Sequence, residues 1–121
     1  MVIVRHRVYK LVLTSLLLLA PLQGFGADVV ALRDLPVQGQ ETYQLVFQGG
    51  PFPYEKDGTV FGNRERLLPA MKRGYYREYT VKTPYSRNRG ARRLVCGGRT
   101  TTPDACYYTA DHYASFRKVV P

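Results

Sequence analysis

The chain has no tryptophan, and only two methionines, two cysteines and two histidines among 121 residues. His6 lies in an N-terminal leader, so His112 is the one imidazole available to the rest. Cys96, Cys106 and the distant His112 have no familiar metal-ligand spacing, so neither a metal nor another cofactor is expected. Acidic residues are scarce, with 9 Asp and Glu against 18 Lys and Arg. The longest apolar run, Leu11 to Ala20, is broken by Thr14 and Ser15 and is short for a bilayer-spanning helix. There is no internal repeat, which excludes solenoids and propellers.

That apolar run has another use. Arg5, Arg7 and Lys10 precede it, and a segment rich in small residues, Pro21 to Ala27, follows it. This is the layout of a secretory signal peptide over residues 1–27, with Gly26 and Ala27 both acceptable cleavage points. An uncleaved N-terminal anchor is the alternative. Residues 28–121 then form one domain, expected to be extracellular and monomeric.

Without the leader's three cations the domain keeps 15 basic against 9 acidic side chains, a net +6. Such a surface suits anionic partners: nucleic acid, anionic lipid or acidic polysaccharide. A domain this small is marginally stable alone. After export, Cys96 and Cys106 can form a disulfide across the base of the Gly- and Thr-rich loop between them. The chain-entropy model gives so short a ring about 2–3 kcal/mol.

The order of elements predicts an α+β domain, with one N-terminal helix packed on a short-stranded antiparallel sheet. Asp34 is a candidate N-cap with Pro36 in the first turn, Val37 to Gln48 reads as the helix, and Gly49-Gly50-Pro51 stops it. Tyr75 to Thr83 is the clearest strand. Its alternation puts Tyr76, Glu78 and Thr80 on one face and Tyr75, Arg77, Tyr79 and Val81 on the other. Arg92 to Cys96, Cys106 to Thr109 and Ala114 to Val119 complete a meander.

The chemistry-bearing residues form a coherent set. Glu78 is a carboxylate on a strand. His112 is an imidazole, a group with both protonation states accessible near neutrality. Arg89 and Arg93 are fixed cations that bind phosphate oxygens through paired donors. Gly62 and Asn63 tolerate unusual backbone angles that turn peptide N–H groups toward a ligand. A base, an acid, a guanidinium clamp and a polar loop suffice to cleave a phosphodiester without metal. A cationic RNA-binding protein without catalysis is the competing reading. A membrane-active cationic protein is a third, but no basic amphipathic helix supports it.

These segments resemble the bacterial guanyl-specific ribonucleases, the group that includes barnase and the Streptomyces ribonucleases of the Sa type. The resemblance rests on Gly50-Pro51-Phe52-Pro53-Tyr54, Asp57 to Glu65, Tyr75 to Val81, Arg89 to Arg93 and Tyr107 to Phe116, in order, and spans roughly Leu35 to Val119. It implies Glu78 as general base and His112 as general acid. Arg89 and Arg93 become the phosphate clamp, and Phe61, Gly62, Asn63, Arg64 and Glu65 the guanine loop. Tyr113 becomes an aromatic at the base and phosphate site. The implied activity is guanine-preferring endoribonuclease cleavage through a 2′,3′-cyclic phosphate. The implied partners are RNA and an acidic inhibitor like barstar. Gly62 stands where close members of the family carry glutamine, so one side-chain contact to the base is expected to be missing.

Overall fold

The computed structural model describes residues 28–121. The leader assignment lies outside the described residues.

Strand β1 (Val29–Ala31) leads through a 3-10 turn (Leu32–Asp34) into helix α1 (Val37–Gln48). Strands β2 (Thr59–Val60), β3 (Tyr76–Thr80), β4 (Arg93–Gly98), β5 (Pro103–Thr109) and β6 (Arg117–Val120) follow. They form one six-stranded sheet in the order β1-β6-β5-β4-β3-β2. The α+β expectation holds, with one correction. The sheet is mixed, because β1 pairs parallel to β6, with Val30 opposite Val119. All other pairings are antiparallel.

The helix begins differently from the sequence expectation. Asp34 does not cap it. Leu35 is extended and buried, which pulls the chain into the core before the helix can start. Pro36 is the N-cap, and its carbonyl accepts from the Gly39 and Gln40 N–H groups. The Gln40 side-chain amide donates back to the Leu35 carbonyl at 3.0 Å, which ties the first turn to the entering chain; among the described residues no side chain caps the free N–H groups. Gly39 is buried, and a Cβ there would lie 3.4 Å from the Leu35 Cβ, so the small residue permits this close entry. At the other end Gly49 takes the left-handed conformation, as expected.

The strand alternation makes two faces. Tyr79, Val81, Leu94, Cys96, Cys106, Tyr108 and Val119 meet Leu35 and Val46 in the main core. Each such buried aliphatic side chain contributes about 1.5–3 kcal/mol. The Cys96–Cys106 disulfide joins directly opposed residues of β4 and β5 on this face. The other face is covered only in part. Tyr76, Val95 and Leu68 form a smaller cluster flanked by Phe61, Tyr107, Tyr113 and Phe116. Glu78, Thr80, Arg93 and Thr109 continue that open face.

Candidate active site

The site is built on the middle of β3 and β4. Glu78 lies opposite Val95, and Thr80 opposite Arg93, so Glu78 and Arg93 are diagonal neighbours on the open face. Arg93 Nε stands 3.9 Å from Glu78 Oε1. The Arg93 side chain is buried, and its Nη1 donates to the carbonyls of Arg92 (2.8 Å) and Gly90 (3.0 Å). Its Nε is buried with no hydrogen-bond partner among the described residues. A cation is thus held rigidly by backbone oxygens with one donor unspent beside a carboxylate. Arg89 arrives from the loop after β3 and donates from Nη1 to Thr80 Oγ1 at 2.9 Å. The two guanidinium groups therefore flank one strand segment.

The segment after β5 brings the imidazole to the same place. His112 N–H donates to the Ala91 carbonyl at 2.9 Å, which ties the segment to the strand entry just before Arg93. His112 (φ 55°) and Tyr113 (φ 74°) are consecutive residues in the left-handed region. Such backbone costs stability and persists only where its surroundings fix it. Here Thr109 and Asp111 fix it. The buried Thr109 hydroxyl donates to Asp111 Oδ1 (2.9 Å) and accepts from the Tyr113 N–H (3.1 Å). Asp111 Oδ1 also accepts from the Ser115 N–H, and Oδ2 from the Ser115 hydroxyl. The Ser115 and Thr109 hydroxyls hold the Asp111 carboxyl below its usual range.

This turn presents His112 to solvent and lays Tyr113 inward. The two rings are 4.8 Å apart, and the Tyr113 hydroxyl donates to Glu78 Oε1 at 2.6 Å. Burial first, and then the Glu78 bond, push the Tyr113 hydroxyl up to about 12. It therefore stays a donor throughout the neutral range. Tyr113 links the histidine to the carboxylate, so both belong to one surface.

Phe61 stacks on Tyr113 with centroids 4.9 Å apart and meets Phe116 edge-on. It is thus an aromatic floor as well as part of the small cluster. The loop that follows is shaped by Asn63 (φ 52°). Its amide accepts from the Leu68 N–H and donates to the Leu68 carbonyl. That side chain is spent on loop shape. The N–H groups of Gly62 to Glu65 are in no hydrogen bond among the described residues. Arg64 and Glu65 are exposed. A cavity of about 470 Å³ opens beside the loop, walled in part by Asn63, Arg64, Lys72 and Arg73. Glu65 is not part of that wall. Gly62 has an ordinary backbone angle, and a Cβ there would meet only Arg64 Cγ at 3.7 Å. The fold does not demand glycine at this position.

Sequence reasoning named Glu78, Arg89, Arg93, His112, Tyr113 and Phe61, and the fold brings these together. It did not find Thr80, Thr109 or Asp111. Thr109 and Asp111 sit in the Thr109 to Tyr113 turn, whose Thr-x-Asp spacing is the one signal available.

A carboxylate, a neighbouring imidazole and two guanidinium groups lie on the open face of a small α+β sheet, the architecture of the microbial ribonuclease fold. Residues 23–120 match the ribonuclease family model, and the chain belongs to that family. It is 52% identical over 95 residues to guanyl-specific ribonuclease St of Saccharopolyspora erythraea, covering 78% of this chain and 90% of that protein. It is 59% identical over 90 residues to guanyl-specific ribonuclease Sa3 of Kitasatospora aureofaciens, covering 74% of this chain but 62% of that longer protein. Among solved structures, ribonuclease Sa2 in complex with mononucleotides superposes with a TM-score of 0.72 at 46% identity, over 78% of this chain and 94% of that one. Ribonuclease Sa2 with guanosine-2′-cyclophosphate gives 0.71 at 45% identity, over 78% and 96%.

Proposed function

We propose that this chain is a guanine-preferring endoribonuclease that cleaves single-stranded RNA on the 3′ side of guanosine. The observation that carries the reading is the linked set Glu78, Arg93 and Tyr113, with His112 adjoining on the same open face. Its guanyl-specific relatives support the base preference.

RNA supplies its own nucleophile. Glu78 takes the proton of the 2′-hydroxyl as that oxygen attacks phosphorus. The bond to the 5′-oxygen breaks, and His112 gives that oxygen a proton. Arg89 and Arg93 bind the non-bridging oxygens as their charge builds, and the unspent Arg93 Nε is preorganised for this. The product is a 2′,3′-cyclic phosphate. Water then attacks it with the proton roles reversed, leaving a 3′-phosphate. Side chains perform every proton and charge step, so the reaction needs no metal.

Guanine stacks against the Phe61 side of the aromatic floor. Backbone N–H groups of the Gly62 to Glu65 loop donate to its O6, and the Glu65 carboxylate accepts from N1–H and the 2-amino group. Adenine leaves that carboxylate unpaired, which discriminates strongly.

Residues 1–27 act as an export signal, the mature protein is an extracellular monomer, and a barstar-like acidic inhibitor is the protein partner that such a basic site would take. The deciding experiment incubates the protein with an RNA containing one guanosine. Expected products end in guanosine 3′-phosphate, at a rate unchanged by a chelator. Glu78→Gln and His112→Gln should each lower kcat/KM by about 100-fold or more with the melting transition retained. Binding without scission would instead establish the non-catalytic reading.

A further inference from the structure

Tyr85 is fully exposed, at 104% of its reference surface. Its backbone sits at φ 65°, in the left-handed region that favours glycine. An aromatic residue there costs stability and is repaid by no packing, since Tyr85 contributes nothing to either core cluster. The loop that carries it is nevertheless braced. Ser86 N–H donates to the Thr83 carbonyl, the Ser86 hydroxyl to Asn88 Oδ1, and Gly90 N–H to that same oxygen. The ring is therefore presented by a shaped turn. Exposed Lys82 and Arg87 lie on either side in sequence, and Arg89 follows. A bare ring among cations is the composition that captures single-stranded nucleic acid, by stacking and phosphate attraction together.

The fold also gives this ring a direction along the substrate. The guanine loop joins β3 at its start, where Phe61 N–H donates to the Tyr76 carbonyl. Glu78 lies in the middle of the strand. Arg89 bonds Thr80 at its end, and the Tyr85 loop lies beyond. His112, which serves the leaving oxygen, is tied to Ala91 at the far side of that same loop. Guanosine at one end and the leaving group at the other put Tyr85 downstream of the scissile bond.

We propose that Tyr85 is a stacking platform for a base on the 3′ side of the cleaved phosphodiester, a sequence-tolerant subsite outside the guanine-reading loop. This rests on the ribonuclease reading, and the test separates the two. Two substrates are compared: guanosine 2′,3′-cyclic phosphate, which has nothing downstream, and a tetranucleotide of one guanosine followed by adenosines. Tyr85→Gly removes the ring and suits the backbone angle, so the variant folds. It should lower kcat/KM on the tetranucleotide by about 5- to 150-fold, the range a stacked base contributes. Cyclic phosphate hydrolysis should stay within about twofold, and Tyr85→Trp should keep both rates. An unchanged tetranucleotide rate overturns the proposal and leaves the ring to a protein partner. An equal loss on both substrates also overturns it, because the loop then acts through Arg89. A parent protein that cleaves neither substrate overturns the ribonuclease reading itself.

Discussion

The Tyr113 hydroxyl donates to Glu78 Oε1 at 2.6 Å, and that same oxygen faces Arg93 Nε at 3.9 Å. One carboxylate oxygen is thus shared by a neutral donor and a buried cation. This keeps Glu78 in place between substrate visits without consuming its second oxygen.

Removing the neutral donor tests that arrangement. Tyr113→Phe should lower stability by about 1–2 kcal/mol, the cost of a hydrogen bond to a charged acceptor that water partly replaces. It should also change alkaline behaviour. Because the folded hydroxyl is pushed up to about 12, its contribution is complete below the ordinary tyrosine value of 10.0 and is lost as pH rises from there toward 12. Denaturant titrations between neutrality and that window should show a steeper alkaline decline in the parent than in Tyr113→Phe. Tyr76, also pushed up to about 12 by burial, leaves a residual decline in both.

Glu78→Gln separates charge from shape. The amide still accepts from Tyr113, but Arg93 is left as a buried cation without its counter-charge. The expected cost is about 1–3 kcal/mol of stability, alongside the loss of cleavage. Arg93→Ala should cost more, about 3–5 kcal/mol. It removes the clamp on the Gly90 and Arg92 carbonyls as well as the partner of Glu78. Urea unfolding of the two variants checks the order. Equal losses would mean that the carbonyl clamp contributes little.

Thr109 and Asp111 are positioning residues for His112. Thr109→Val keeps the shape but leaves the Tyr113 N–H without its acceptor. A stability loss of about 1–3 kcal/mol is expected. A fall in kcat with little change in KM should accompany it, since the guanine loop is untouched. Asp111 carries a pH signature. Its carboxyl is held low by the Ser115 and Thr109 hydroxyls, so its contribution is present above the ordinary aspartate value of 3.8 and fades as pH falls below it. Asp111→Ala should flatten that acid limb, and Asp111→Asn should restore more of kcat than Asp111→Ala does. Stability curves from neutrality to strong acid, with steady-state rates, check both.

What the sequence disclosed and what it hid follow from range. The β3 alternation put Glu78 and Tyr79 on opposite faces, because a period of two needs only neighbours; which face is the core is decided by the helix and Leu35 packing on Tyr79. The Gly49 stop was equally local. Strand β1 was hidden, since three residues with no turn signal pair with β6 nearly the whole domain away. Asp34 looked like a cap until the burial of Leu35 decided where the helix begins. Thr109 reads as an ordinary strand threonine, and its role exists only once the Asp111 turn folds back over it. Tyr85 reads as a polar-loop residue, and only its exposure and backbone angle mark it.

The disulfide gives a control that should leave chemistry intact. Cys96 and Cys106 are buried on the face that meets the helix, whereas Glu78, Arg93 and Thr109 occupy the opposite face. Their separation is 10 residues, so the chain-entropy model assigns the ring about 2–3 kcal/mol. Reduction should lower the unfolding free energy by that amount, read as a drop in the urea midpoint at unchanged slope, while leaving kcat/KM within about twofold at low denaturant. Pairing of β4 with β5 runs from Arg93 opposite Thr109 to Gly98 opposite Pro103, so the strands stay zipped without the covalent link. A loss of rate that outruns the loss of folded protein would show that the bond also sets the spacing between Arg93 and the His112 turn. Steady-state assays on reduced and oxidised protein, paired with circular dichroism of the same samples, distinguish these outcomes.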